Sequence, residues 1–176
     1  MRRLATLGLL AVLIIVGLWF VLRGGEKEVS SGETGVAAVL PKVPDFSFPD
    51  ASGKEVVLSE VTSPLRIVHF WASWDPSSAE ALRSLAAIEQ DYGTDVTVVA
   101  LNRDAVPADG EAYLERLGLG EDLVFAYDKN DTYYRELGGY NMPETVFVGS
   151  GGEILHHAHG PMEPELQRAT VADILE

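Results

Sequence analysis

The 176-residue sequence contains no cysteine. This absence excludes disulfide bonds, thiol nucleophiles, thiolate metal ligands and the attachment of c-type haem through cysteine. A domain without disulfides depends on its hydrophobic core for stability, and a content of 47% hydrophobic residues is enough to form one. Any chemistry that the protein carries out must therefore use side chains other than thiols.

Basic residues are scarce relative to acidic ones: 13 Lys and Arg stand against 27 Asp and Glu, for a formal net charge of −14 at pH 7. Beyond residue 23 the imbalance grows to 10 basic and 27 acidic residues, a net charge of −17. Such a surface repels nucleic-acid phosphates and anionic lipid headgroups. The charge therefore excludes a nucleic-acid partner and keeps the domain soluble.

One long uncharged run is present, over the 19 residues Leu4–Leu22. As an α-helix it would span about 28 Å, close to the thickness of a hydrocarbon core. We therefore predict a transmembrane anchor over residues 1–23 and a flexible tether rich in Gly, Ser and Glu over residues 24–40. The alternative is a cleaved signal peptide. The apolar region of a signal peptide is usually shorter, about 7–15 residues, and no convincing cleavage site follows here.

Arginines lie on both sides of this run, with Arg2 and Arg3 before it and Arg23 after it. The leading pair, together with the amino terminus, outweighs Arg23 and Lys27, which neighbouring glutamates partly offset. Positive flanks remain in the cytoplasm, so we expect the amino terminus inside and the carboxy-terminal domain on the extracytoplasmic side of the cell membrane.

From Pro41 onward the pattern predicts alternating strands and helices. Apolar runs predict strands in "LRIVHFWA", "DVTVVAL", "ETVFVGS" and "EILHHAH", and a hairpin is predicted around the turn "PDASG". Helical spacing of apolar residues and turn signals predict helices that begin at Pro76, Asp109, Thr132 and Glu163. The order indicates one α/β domain over residues 41–176, with a mixed central sheet covered by helices on both faces.

Three segments carry a family resemblance: "PDFSFPDASGKEVVLSEV", "IVHFWASWDPSSAEAL" and "GYNMPETVFVGSGGEIL". In order and spacing they resemble the membrane-tethered thioredoxin-like proteins of the TlpA/ResA group, within the thioredoxin and AhpC/TSA redoxin superfamily. The resemblance runs from about Pro44 to the carboxy terminus. It implies a thioredoxin-like fold and a relationship to thiol–disulfide oxidoreductases.

In that family a Cys-x-x-Cys motif follows "FWASW", and the matching positions here are Asp75 and Ser78. A carboxylate cannot form a mixed disulfide and a hydroxyl cannot resolve one, so thiol–disulfide exchange is excluded. The residues themselves predict that Asp75 is the N-cap of a helix whose first residue is Pro76. Catalysis by Asp75 would need a neighbouring base, and Trp74, Ser77 and Ser78 do not provide one.

The resemblance also implies a binding surface. Trp74 lies where the family exposes an aromatic side chain, although partner contact and core packing are both compatible with its position. Pro143 matches the family's cis-proline, and Met142 before it would offer its main chain to an extended peptide. We therefore expect Trp74, Asp75, Pro76, Met142 and Pro143 to bind a protein or extended-peptide partner, with no cofactor involved.

Histidines are concentrated in one predicted strand. His157 and His159 would share a face of that strand, whereas His156 would point away. Two histidines need a third ligand, and neither a cysteine nor an HExxH helix provides one. We therefore expect no metal site and regard His157 and His159 only as weak candidates. His69, inside a buried strand, is interpreted as a hydrogen-bonded core histidine.

Two classes of function follow. The first is a redox-inactive, membrane-tethered module that binds a polypeptide partner, as a scaffold or chaperone-like protein. The alternative is a thiol-independent or metal-dependent enzyme that uses Asp75 or the run His156–His159. A bound metal that depends on these histidines would favour the enzyme.

Overall fold

The computed structural model describes residues 41–120 and 123–176. The predicted anchor (1–23) and tether (24–40) lie outside the described residues. Among the helices of the described part, none is both long enough and apolar enough to cross a membrane. The described residues all belong to one compact unit.

Within the described ranges, seven strands and four α-helices follow one another along the chain. The strands are β1 (Ser47–Pro49), β2 (Glu55–Val57), β3 (Leu65–Trp71), β4 (Val96–Asn102), β5 (Val124–Tyr127), β6 (Glu144–Gly149) and β7 (Ile154–His159). The helices are α1 (Ser78–Tyr92), α2 (Pro107–Leu117), α3 (Thr132–Glu136) and α4 (Pro164–Leu175). Helix α2 begins two residues before the predicted Asp109, because Pro107 fits the first turn of a helix.

Five of the strands form one mixed sheet in the order β5-β4-β3-β6-β7. Strands β3, β4 and β5 are parallel, whereas β6 runs antiparallel to β3 and β7 antiparallel to β6. Strands β1 and β2 form a separate antiparallel hairpin, at the predicted place. The predicted mixed α/β architecture is therefore confirmed.

The central strand β3 is buried along its whole length. Ile67 and Trp71 face one core cluster, which contains apolar residues of α1 and α4, whereas Val68 and Phe70 face a second cluster on the other side of the sheet. A strand with both faces covered needs apolar residues at consecutive positions, which explains the unbroken run in the sequence. The predicted covering of both faces is confirmed.

His69 is a fully buried titratable group of this strand, with a solvent exposure of 0%. Its Nδ1 lies 3.0 Å from Thr145 Oγ1, but its Nε2 has no partner among the described residues. The interpretation as a hydrogen-bonded core histidine is therefore correct for Nδ1 and wrong for Nε2. Burial lowers the pKa of His69 to about 4, and the nearby Asp75 carboxylate only partly opposes this effect.

His69 makes folding sensitive to mild acid. Because its pKa is lower in the folded chain than in the unfolded chain, the unfolded chain binds the proton first as the pH falls. Stability is therefore complete above pH 6.5 and decreases as the pH falls toward 4. We expect the wild type to lose about 2 kcal/mol more free energy of unfolding between pH 7.5 and pH 5 than the variant His69→Gln.

Urea unfolding at the two pH values measures this difference. The His69→Gln variant is the matched control, because the histidines of β7 are present in both proteins and cancel in the comparison. The same pH dependence in both proteins would contradict a buried, neutral His69.

Candidate functional site

The two predicted halves of the binding surface lie at the same edge of the sheet. The turn that contains Trp74 and Asp75 follows the carboxyl end of β3, and the pair Met142-Pro143 precedes the amino end of β6. In the antiparallel register, Phe70 is opposite Glu144. The residues that follow Phe70 therefore emerge beside those that precede Glu144.

Asp75 is buried, with an exposure of 7%, and hydrogen bonds hold its carboxylate in place. Its Oδ1 accepts from the Ser77 N–H (3.3 Å) and the Ser77 hydroxyl (3.0 Å), and its Oδ2 accepts from the Ser78 hydroxyl (2.9 Å). Ser78 Oγ in turn accepts from the N–H of Ala72 at 3.3 Å. Asp75 and Ser78, the positions that the family resemblance matches to the two cysteines, are therefore in direct contact and stabilise the turn between β3 and α1.

The structure corrects the predicted helix start. Helix α1 begins at Ser78, so Pro76 lies in the turn before it and Asp75 is not its N-cap. The turn is closed by a hydrogen bond from Ser78 N–H to the Asp75 carbonyl, 3.2 Å long. An aspartate that bonds the N–H two residues ahead forms a local turn of its own, and this competes with helix initiation.

The contacts of Asp75 define its chemistry. Within the described ranges its carboxylate is hydrogen-bonded to Ser77 and Ser78, neither of which is a base. An aspartate nucleophile or general base is usually accompanied by a second titratable group within hydrogen-bond reach. These contacts give the Asp75 carboxylate a structural role in the turn.

Around this turn, side chains and main-chain groups are available to a partner. Trp74 has an exposure of 62% and Pro76 is also exposed, so Trp74 is not part of the core. The Met142-Pro143 bond is cis, as the resemblance implied. Met142 is half-buried, and neither its N–H nor its carbonyl has a hydrogen-bond partner among the described residues.

The residues on either side fix the main chain around Met142. The carbonyls of Asn141 and Pro143 both accept from the N–H of Gly160, at 3.0 and 2.9 Å. Gly160 has a φ of +93°, a conformation that favours glycine. The loop is therefore fixed on both sides of Met142, whose own N–H and carbonyl have no hydrogen-bond partner within the described ranges.

Glu144 is a residue that the sequence interpretation missed. Its buried carboxylate lies 3.0 Å from His157 (Oε2 to Nε2) and 3.2 Å from His159 (Oε1 to Nδ1). Oε1 also accepts from the N–H groups of Tyr140 (2.6 Å) and Asn141 (2.9 Å). Glu144 is therefore a potential third ligand beside His157 and His159, which the sequence analysis did not identify. The sequence alone shows only that Glu144 directly follows Pro143. Its position beside the histidines follows from the pairing of β6 with β7, which places Glu144 opposite His159.

Hydrogen bonds control the charge of Glu144. Burial raises the pKa of its carboxyl, but the N–H groups of Asn141 and Tyr140 and the two histidines lower it more, so that the pKa lies below its ordinary value. The Tyr134 hydroxyl also donates to Oε1, at 3.3 Å. Burial and the Glu144 charge raise the pKa of Tyr134 to about 12. Glu144 is therefore an anion at neutral pH, and Tyr134 keeps its proton.

Concave regions also occur away from this edge. Two cavities of about 540 and 680 Å³ lie beside the β1–β2 hairpin and share Asp50, Glu111 and Tyr127 in their linings. None of the residues predicted to bind a partner lines either cavity. The surface around Trp74 and Met142 is therefore separate from these two cavities.

Comparison with known proteins identifies the family of this chain. Residues 39–157 match the model of the AhpC/TSA family. The thiol:disulfide interchange protein DsbE of Allochromatium vinosum is 28% identical over 134 residues, which cover 75% of this chain and 72% of that protein. The thiol-disulfide oxidoreductase ResA of Geobacillus thermodenitrificans is 27% identical over 136 residues, or 76% of each chain.

Solved structures agree with the sequence comparisons. A thiol:disulfide interchange protein DsbE from Chlorobium tepidum superposes with a TM-score of 0.72 at 26% identity, and the match covers 78% of this chain and 97% of that one. A thiol-disulfide oxidoreductase from Bacteroides fragilis, at 17% identity and a TM-score of 0.66, shares the fold. The chain therefore belongs to the AhpC/TSA family and has the thioredoxin-like fold of the thiol–disulfide oxidoreductases.

Proposed function

We propose that this protein is a membrane-tethered, extracytoplasmic thioredoxin-like module that has lost thiol–disulfide exchange and binds an extended polypeptide. In this role it acts as a scaffold or a chaperone-like protein. The observation that carries the proposal is the unpaired main chain of Met142 at the same sheet edge as the exposed Trp74.

The loss of exchange chemistry follows from the atoms at the site. Exchange requires a thiolate that attacks a disulfide sulfur and forms a mixed disulfide. The chain contains no cysteine, and the carboxylate of Asp75 and the hydroxyl of Ser78 contact each other where the family resemblance places the two thiols. Neither group attacks a disulfide to form a mixed disulfide, so the function that the site supports is binding of a polypeptide.

Main-chain recognition explains why an extended polypeptide fits. A peptide in extended conformation binds through alternating N–H and carbonyl groups, and Met142 offers one free group of each kind. Trp74 adds a large apolar contact that is already exposed in the free protein, and tryptophan is enriched among the residues that dominate binding. The half-buried Met142 side chain adapts to different partner side chains.

The proposed location rests on the sequence. The uncharged run Leu4–Leu22 has the length of a membrane span, and the arginines before it favour an amino terminus in the cytoplasm. The domain that follows carries a large negative charge, which keeps it away from anionic lipid headgroups. We therefore propose that the binding surface faces the extracytoplasmic side.

Restoring the thiols tests whether the site kept its redox geometry. Ser78 Oγ lies 2.9 Å from the Asp75 carboxylate, so cysteines at both positions would bring their sulfur atoms within bonding reach. We expect the double variant Asp75→Cys/Ser78→Cys to form an internal disulfide on mild oxidation and to gain disulfide-reductase activity. The wild type should show none at the same concentration.

The single variants Asp75→Cys and Ser78→Cys are the controls, since each supplies one thiol without a partner. Thiol titration and a turbidity assay of disulfide reduction give the readout. A double variant that keeps two free thiols under oxidation, or reductase activity in the wild type, would contradict the proposed origin of the site.

Photocrosslinking tests polypeptide binding directly. We would place a photoreactive residue at Met142 in the full-length, membrane-inserted protein and add a cysteine-alkylated, permanently unfolded polypeptide. Crosslinking should be strong at Met142 and weak at Arg168, an exposed position on α4. Trp74→Ala should lower it by about tenfold or more, because the indole is the main apolar contact.

The same polypeptide in its compact, folded form is the control ligand. Because Trp74 is already exposed, its replacement should leave the stability of the domain nearly unchanged, and thermal unfolding checks this. Equal crosslinking at Met142 and Arg168, or no effect of Trp74→Ala, would contradict a binding site at this edge.

A further inference from the structure

The register of the β6–β7 hairpin brings three metal-ligating side chains together. Glu144 is directly opposite His159, and His157 lies two residues earlier on β7, on the same face of the sheet. One donor atom from each of the three lies within 4.8 Å of the others. The centroids of the His157 and His159 rings are 4.0 Å apart, and a nitrogen of each ring contacts the Glu144 carboxylate.

These distances fit a metal ion. Zinc binds histidine nitrogen at about 2.0–2.1 Å and carboxylate oxygen at about 2.0–2.2 Å, which places the ligand atoms of a tetrahedron about 3.3 Å apart. The two histidines contact different oxygens of Glu144: His157 Nε2 lies 3.0 Å from Oε2, and His159 Nδ1 lies 3.2 Å from Oε1. One ligand atom from each of the three residues lies within 4.8 Å of the others, so a cation can reach all three. We propose that Glu144, His157 and His159 bind one divalent transition-metal cation, for which zinc is the probe.

The donor set indicates the type of site. Two imidazoles and one carboxylate leave the fourth tetrahedral position to water or to another ligand, whereas structural zinc sites are usually closed by four protein ligands. The side chains of His157 and His159 are 17% and 30% exposed, so a cation reaches the site from solvent. The site is therefore of the open type and lies next to the Met142-Pro143 loop.

Groups around the ligands hold them in position. The N–H groups of Tyr140 and Asn141 both bond to Glu144 Oε1, whereas Oε2 contacts His157 alone among the described residues and is available to a cation. The ring of Tyr140 stacks on His159, with centroids 4.5 Å apart. Hydrogen bonds that orient a ligating carboxylate in this way are typical of the second layer of metal sites.

The imidazole rings have the freedom that coordination requires. Coordination uses Nε2 of His157 and Nδ1 of His159, so each ring must carry its proton on the other nitrogen. Those other nitrogens, Nδ1 of His157 and Nε2 of His159, have no protein partner within the described ranges. Either ring can therefore direct its proton to solvent and its lone pair to the cation.

The same contacts also describe a hydrogen-bonded cluster without metal, and zinc titration separates the two. We would titrate ZnCl₂ into the full-length protein in detergent at pH 7.5 by calorimetry, with MgCl₂ as a second cation. We expect one zinc per chain and no saturable binding of magnesium, which prefers oxygen ligands. The melting temperature should rise with zinc concentration, because a ligand that binds the folded chain stabilises it.

Single histidine variants test which residues bind the zinc. His157→Ala and His159→Ala should each weaken zinc binding by more than about tenfold, at least the loss seen when supporting residues are removed. His156→Ala is the matched control, because its exposed ring lies on the opposite face of the same strand and should have no effect. Circular dichroism checks that all variants fold, which the partial exposure of these rings favours.

Two results would overturn the inference. The first is a wild-type protein that binds no stoichiometric zinc and shows no rise in melting temperature. The second is zinc binding that survives His157→Ala and His159→Ala in folded protein, or that falls equally with His156→Ala. The readouts are binding and stability, so they do not depend on polypeptide binding.

Discussion

The buried carboxylate of Glu144 is the interaction on which the functional edge of this domain depends. It receives hydrogen bonds from the main chain of Tyr140 and Asn141 and from the Tyr134 hydroxyl, and it contacts two histidines of the neighbouring strand. Leaving one buried donor without a partner costs about 1–3 kcal/mol. A single side chain therefore joins the loop before β6, helix α3 and strand β7, and so fixes the loop that carries Met142.

At the same edge, Asp75 and Ser78 lie where the family resemblance places the two thiols of the Cys-x-x-Cys motif. The Asp75 carboxylate is held by two hydroxyls and one N–H, so the turn keeps a fixed shape. In the proposed function this edge binds a partner through its shape and through the surface of Trp74 and Met142.

The sequence predicted the architecture well because burial leaves a direct pattern. A strand covered on both faces needs consecutive apolar residues, as in β3, and the hairpin of β1 and β2 has characteristic turn residues at its tip. The helix start was wrong because Asp-Pro-Ser-Ser fits both an N-cap and a local aspartate turn. The main-chain hydrogen bond from the Ser78 N–H to the Asp75 carbonyl closes a turn there, and the helix begins only at Ser78.

The site at Glu144 was beyond sequence reasoning for a different reason. His157 and His159 were correctly placed on one face, but their third neighbour is set by the pairing register of two strands. A shift of one residue in that register would have placed Glu144 on the other face. The unpaired main chain of Met142 likewise depends on the contacts made by Asn141 and Pro143, and these are properties of the folded chain.

Amide hydrogen exchange of the full-length protein in detergent measures whether a polypeptide binds the main chain of Met142, because a hydrogen bond to the partner slows exchange of that amide. With a saturating unfolded polypeptide present, we expect slower exchange at the Met142 amide and beside Trp74. The amides of α4 should exchange at an unchanged rate. An unchanged exchange rate at the Met142 amide, whether or not other amides become protected, would contradict polypeptide binding at this edge.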